Sequence, residues 1–337
     1  MDSSYNVLVT GAAGHLGTAL MLALPEHGFT PFGIDLLASP ATTAVGSITD
    51  RAFIRGLLQG SRIAHIIHAA ALHKPHVGSH TKAQFIDTNI TGTLVLLEAA
   101  AEVLGRQQLE SFLFLSTTSA FGSALAPAAG QPAAWIDEAV VPRPKNIYGV
   151  TKVAAEDLCW LVHTQAALPI LVLRTSRFFP EPDDDAHRRA ALADANLKLL
   201  ELAHRRVDLD DVVAACVCGM ARARALGWGR YVISAPPPFA RDEATLAGLD
   251  GDAAAVIRRV VPAVEAVFAA RGWGYLPRID RVYDSAKAVR ELGWRPRYTF
   301  ADAVAMVRED RAWQSALTTR VGSKGYHAES TGVYTQR

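Results

Sequence analysis

Disulfide chemistry is the first thing this sequence lacks. Its three cysteines, Cys159, Cys216 and Cys218, form no framework and leave an odd one over. Reduced thiols and a cytoplasmic setting are expected instead. An excess of charge is missing too: 34 lysines and arginines face 33 aspartates and glutamates, a formal net charge of +1. That balance leaves no electrostatic footprint for nucleic acid or an anionic membrane. No stretch approaches the roughly 20 apolar residues of a membrane span. No basic segment precedes the first apolar run, so no export signal is read. No internal repeat is present. With 50% hydrophobic and 20% charged residues the composition is ordinary and globular. A chain of 337 residues is long for one core, so a large domain and a smaller one are expected.

What is present is an alternation of strand and helix patterns. Short apolar runs at 5–10, 29–35, 63–71, 112–117 and 169–174 read as strands, the second weakened by Pro31. Between them, 14–26, 50–59, 83–104 and 146–167 read as helices. This order predicts a doubly wound, mostly parallel sheet. Residues 121–145 interrupt it with Pro127, Pro132, Pro142 and Pro144 and read as an irregular excursion. Beyond residue 174 a helix over 212–224, a strand over 230–234 and a last amphipathic helix over 301–317 are predicted. Residues 318–337 are polar and aperiodic and read as a loose tail or subunit arm. Cys216 and Cys218 sit in an apolar helical pattern and read as core.

The first strand runs into Gly11-Ala-Ala-Gly14-His15-Leu16-Gly17. Gly11 permits a tight turn, Gly14 a close approach to phosphate, and Gly17 close packing of helix on sheet. A pyrophosphate is then expected on the helix N-terminus, against the amides at His15 and Leu16. Asp35 closes the next strand, where its carboxylate can accept from both ribose hydroxyls of NAD and would repel the 2′-phosphate of NADP. No arginine follows within residues 36–40, so NAD is the expected cofactor.

Tyr148 and Lys152 are four residues apart and share a helix face. An ammonium and a positive nicotinamide beside the phenol both favour phenolate. Lowering its pKa from near 10 to about 7 takes roughly 4 kcal/mol. Tyr148 is then a base near neutral pH. Thr117, at the carboxyl end of the strand 112–117, is placed to hold a substrate oxygen, with Ser116 and Thr118 as rivals. His73, Lys74, His76 and His80 follow another strand end and read as a substrate-contacting loop. No metal site is expected.

Together these motifs resemble the extended short-chain dehydrogenases/reductases of the NAD-dependent epimerase/dehydratase family. The likeness includes His68-Ala69-Ala70-Ala71, Asn89-Ile-Thr-Gly-Thr93, Leu115-Ser-Thr-Thr-Ser-Ala-Phe-Gly122, Val207-Asp208 with Asp211, and Leu292-Gly-Trp-Arg-Pro296. It implies a Thr117–Tyr148–Lys152 catalytic trio. The cofactor contacts implied are Gly11, Gly14, His15, Leu16, Gly17, Asp35, Ala69, Ala70, Ala71 and Asn89, besides Tyr148 and Lys152. It implies a Rossmann-type NAD-binding domain over 1–175 with a return segment about 207–235. A smaller C-terminal substrate-binding domain then takes 176–206 and 236–317. Candidate substrate contacts are His73, Thr118, Ser119, Arg177 and Arg206.

The departures narrow the reading. Thr118 and Ser119 stand where dehydratases of the family carry Asp-Glu, which disfavours dehydration. Residues 272–280 lack the Arg-x-Gly-Asp loop that grips a diphosphate. Arg177 stands where an asparagine is usual and suits an anionic group, or pairs with Asp183, Asp184 or Asp185. The expectation is a sugar or nucleotide-sugar epimerase or dehydrogenase. A sugar-acid dehydrogenase is one alternative and a non-catalytic NAD-sensing protein another. A homodimer through helices 83–104 and 146–167 is expected.

Overall fold

The computed structural model describes residues 5–183 and 185–324. Asp184 and most of the predicted tail, 325–337, lie outside the described residues. Seven strands make one parallel sheet: β1 (Val7–Thr10), β2 (Pro31–Asp35), β3 (Ala44–Val45), β4 (His65–His68), β5 (Ser111–Thr117), β7 (Ile170–Thr175) and β8 (Trp228–Ile233). A separate parallel pair joins β6 (Ala134–Ile136) to β9 (Arg281–Tyr283). The order across the large sheet is β3-β2-β1-β4-β5-β7-β8. The chain thus builds outward from β1 to β3, then reverses to lay down the other half. The reversal opens a crevice at the carboxyl ends of β1 and β4, where ligands bind in such sheets.

β1, β5 and β7 are buried at every position, as apolar runs covered on both faces should be. One face packs on helices His15–Ala23 and Leu209–Leu226 through Leu16, Leu20, Val212 and Met220. The other packs on Arg51–Leu58, Gly92–Ala99 and Ile147–Ala166 through Ile54, Leu96, Ala155 and Cys159. The predicted doubly wound α/β fold is the fold found. A third apolar cluster, with Leu199, Leu200, Phe268 and Phe300, lies apart from both. Cys216 is buried in the first core.

Four local differences have physical causes. Pro31 does not weaken its strand, because it is the first residue of β2. The predicted 83–104 helix contains two π-helical turns, Asp87–Thr91 and Ala100–Leu104. The excursion 121–145 contains β6, whose register comes from β9 far downstream. The predicted 301–317 helix is two, Phe300–Arg308 and Ala316–Val321, separated where Asp310 takes a positive φ of 53°. Residues 318–321, predicted as aperiodic tail, belong to the second of these.

Candidate active site

A cavity of about 810 Å³ opens at the carboxyl ends of β1, β2, β4 and β5. Its floor is the glycine turn. Gly11 has φ of +74°, and a Cβ there would meet the Ala70 backbone at 2.7 Å; a Cβ on Gly17 would overlap the Gly11 carbonyl. Both positions therefore require glycine. The turn is held by Gly11 and Ala12 amides donating to Ile34 O at 2.9 and 3.1 Å. No side chain caps the helix at Gly14 and no acid lies in its first turn, so its first amides are open to an anion. Asp35 Oδ2 accepts from the Ala13 amide and Oδ1 from Leu37, both at 3.0 Å, fixing the carboxylate at the rim. Exposed Leu36 and Leu37 line the cavity beside it, an apolar bed suited to an adenine ring. Gly14, His15, Leu16, Ala69, Ala70 and Ala71 share this wall. A dinucleotide fits these residues.

Across the cavity the helix Ile147–Ala166 begins at Asn146, whose side chain accepts from Gly149 N at 3.0 Å. It carries Tyr148 and Lys152 inward, and Thr117, Thr118 and Ser119 line the same space. The Thr117 hydroxyl is close enough to the Tyr148 phenol to favour its charged form, and it accepts from the Ser119 amide at 3.0 Å. Ser116 lines the cavity too, but its hydroxyl donates to Glu156 at 2.6 Å. Lys152 is buried, donates to Leu115 O at 2.6 Å and lies 4.3 Å from the Phe114 ring centre. One turn on, Glu156 accepts both Nε and Nη2 of buried Arg174.

Burial pushes the Tyr148 phenol up to about 12, and the neighbouring Thr117 hydroxyl only partly offsets this. Burial also pushes Lys152 down to about 8, with Cys159 and Glu156 working against the fall. The chain alone does not make an acidic phenol.

Asn89 departs from expectation. It is absent from the cavity wall. Its amide donates to Leu72 O at 2.9 Å and Thr151 Oγ1 at 3.0 Å, and its oxygen accepts from Leu72 N at 2.8 Å. It clamps the loop after β4 to the Tyr148 helix. A buried relay supports it. Ala70 N donates to Thr10 Oγ1, Thr10 donates to His68 Nδ1, His68 Nε2 donates to Thr93, and Thr93 donates to Asn89 O. Thr93 already gives its one proton to Asn89, so the proton of His68 is assigned to Nε2. Burial, then Lys152, holds this imidazole down to about 3. Sequence reading found His68 only as part of a motif; two threonines 83 residues apart give it no local signal.

On the substrate side, Arg177 reaches the cavity wall but is paired with Asp183 and, at 3.0 Å, with Glu201. Arg205, which sequence reading missed, lines the cavity too and pairs with the same two acids at 2.8 and 2.6 Å. Burial works to raise Glu201, but Arg205, Arg206 and Arg177 hold it well below the usual carboxylate range. Arg206 does not line the cavity; it is buried, donating to Glu201 and to Phe179 O, both at 2.9 Å. Its predicted substrate contact is thus replaced by an internal one. His73 lines the wall, stacked on Phe179 at 5.7 Å. Among the described residues no group of three or more His, Cys, Asp or Glu is placed to hold a metal ion.

A doubly wound sheet with this turn, this rim carboxylate and this helix is that of a dinucleotide-dependent enzyme of the extended short-chain dehydrogenase/reductase type. Residues 7–233 match the NAD dependent epimerase/dehydratase family, and the chain belongs to it. Its cofactor is NAD. A UDP-glucose 4-epimerase of Rhizobium meliloti (strain 1021) is 30% identical over 154 residues, 44% of each chain. One from Erwinia amylovora is 24% identical over 45% of this chain and 47% of its own. The matched region is therefore about half the length of these epimerases. A dTDP-glucose 4,6-dehydratase of Streptomyces griseus is 28% identical over 93% of this chain and 97% of its own. The solved structure of MoeE5 in complex with UDP-glucose and NAD has a TM-score of 0.59 and 21% identity, covering 91% of this chain and 98% of that one, a likeness of fold.

Proposed function

We propose that this chain oxidises a secondary alcohol, or reduces the matching ketone, of a sugar-type substrate, as an epimerase or dehydrogenase. The observation that carries the reading is the single cavity shared by the glycine turn, Asp35, Thr117, Tyr148 and Lys152. NAD supplies a hydride acceptor and, oxidised, a positive charge. Gly11–Gly17 amides hold its pyrophosphate and Asp35 its adenosine ribose. Thr117 orients the substrate oxygen. Tyr148 takes the hydroxyl proton, and Lys152 keeps a positive charge beside the phenolate that results. A ketone that stays and is reduced on its other face makes an epimerase; one that leaves makes a dehydrogenase.

Dehydration is disfavoured, because the Thr118 and Ser119 hydroxyls lack the acid and base it requires. A nucleotide tail is disfavoured too. Arg278, in the stretch 272–280, is paired with Asp250 and donates to the Pro127 and Ala128 carbonyls at 3.1 and 3.0 Å. The existing pairing of Arg177 weakens the sugar-acid reading. The third apolar cluster supports a substrate domain over 176–206 and 236–317. Exposed Ile86, Val150, Trp160 and Leu161 support a homodimer through the two predicted helices. Three free cysteines support a cytoplasmic setting; among the described residues no helix is long and apolar enough to cross a membrane. A screen of NADH absorbance against free sugars, sugar acids and nucleotide sugars tests the reading. Turnover of none of the three classes would overturn it.

A further inference from the structure

The segment after the last long helix returns to the cofactor turn. The helix Ala316–Val321 packs on His15–Ala23 and Leu209–Leu226. Its start is tied down: Asp208 Oδ2 accepts from the Ser315 amide at 3.0 Å and from the Thr318 hydroxyl at 3.2 Å. Val321 is buried in the sheet core. Gly322, at φ +59°, then turns the chain. Ser323 donates to Glu181 at 3.0 Å, and Lys324 enters the cavity wall.

There it faces His15. This side chain is only 2% exposed; the Gly322 carbonyl is close enough to act on it, but neither ring nitrogen has a partner at full hydrogen-bond geometry among the described residues. Burial, then Lys324 and Arg206, holds the ring neutral, down to about 3, with the Gly322 carbonyl working weakly against the fall. It therefore carries one N–H to donate. A buried imidazole whose donor is at best weakly engaged, an uncapped helix start and a lysine ammonium thus border the same space. An unsatisfied buried donor is costly; an anion between these groups would answer all three.

We infer that residues 322–324 are a strap completing the pyrophosphate site, with Lys324 supplying its full positive charge opposite the first-turn amides and His15 supplying a further donor. The ligand class is the pyrophosphate diester of the dinucleotide. Asp35, bonded to the turn at Ala13, reads the ribose.

The test is calorimetric binding to the full chain. The probes are NAD, ADP-ribose and adenosine, the last lacking phosphate. Lys324→Gln should weaken NAD and ADP-ribose about tenfold, equivalent to about 1.4 kcal/mol, and leave adenosine within twofold. It should also flatten the salt dependence of ADP-ribose binding. Lys324→Arg should restore most of the affinity. Ser323→Ala, which removes the anchor on Glu181, should give a smaller loss with the same ligand pattern. ADP-ribose affinity unchanged in Lys324→Gln would overturn the inference. So would equal weakening of adenosine, or a change confined to the KM of the second substrate, which would assign the lysine to substrate instead.

Discussion

Tyr148 and Lys152 are buried four residues apart with opposite shifts, the phenol up to about 12 and the ammonium down to about 8. Burial penalises charge on either alone. What is missing for an acidic phenol is a further positive charge, which only the oxidised cofactor brings. The ionisation of Tyr148, followed by its ultraviolet difference signal against Tyr148→Phe, should therefore start above pH 10 in the free protein. It should fall by two units or more with NAD and much less with NADH, whose ring is neutral. An unchanged titration with NAD would remove Tyr148 as base. Tyr148→Phe should lose 10²–10⁴-fold in kcat while NAD affinity stays within about twofold. A variant retaining wild-type kcat would rule out the proposed chemistry. The glycines, Asp35 and the Tyr–Lys spacing were all legible in the sequence, because each is a local pattern with a local physical reason. The charge states were not, since desolvation depends on what packs from other elements.

At the scale of elements, the strands were legible because buried parallel strands are written as continuous apolar runs. The helix 83–104 was legible as a helix but not in phase. The π-helical turn Asp87–Thr91 inserts a residue and swings Asn89 away from the cavity onto Leu72 and Thr151. That clamp can be measured. Asn89→Ala strands the Leu72 amide and carbonyl in a partly buried place and should cost about 2 kcal/mol, as unsatisfied backbone groups do. Denaturant unfolding reads the loss. Because the clamp sets the loop that carries His73, KM for substrate should rise more than KM for NAD. Equal stability of the variant would make Asn89 a bystander. β6 and the helix Ala316–Val321 were illegible for one shared reason. Each is held by distant partners, β9 for one and Asp208 for the other, and neither has enough length to show a period.

Across the whole molecule, three buried neutral histidines lie in three different places. His15 is at the cofactor turn, His68 in the sheet, and His204 beside the third apolar cluster; burial foremost holds each down to about 3. In the unfolded chain each titrates near 6.5. Between pH 3 and 6.5 the unfolded state therefore binds more protons, and stability rises with pH over that window. Asp211 works in reverse. Burial first raises its carboxyl to about 7, against hydrogen bonds from the Arg297 and Tyr298 amides. From about pH 4 to 7 the folded state holds that extra proton. Glu138, also raised by burial, acts with Asp211. Near pH 5 the three histidines outweigh these acids by about one to two protons, a slope of about 1–3 kcal/mol per pH unit. His65, also lowered by burial, adds in the same sense. Denaturant midpoints should thus fall steeply from pH 6 to pH 4.5. Replacing His68 by Gln should flatten the dependence by about one proton, although the variant starts less stable because the relay to Thr10 and Thr93 is broken. Stability that is level or rising as the pH falls through 5 would mean that these imidazoles are charged in the folded protein. The neutral donor assigned to His15 would then be lost along with the relay through His68.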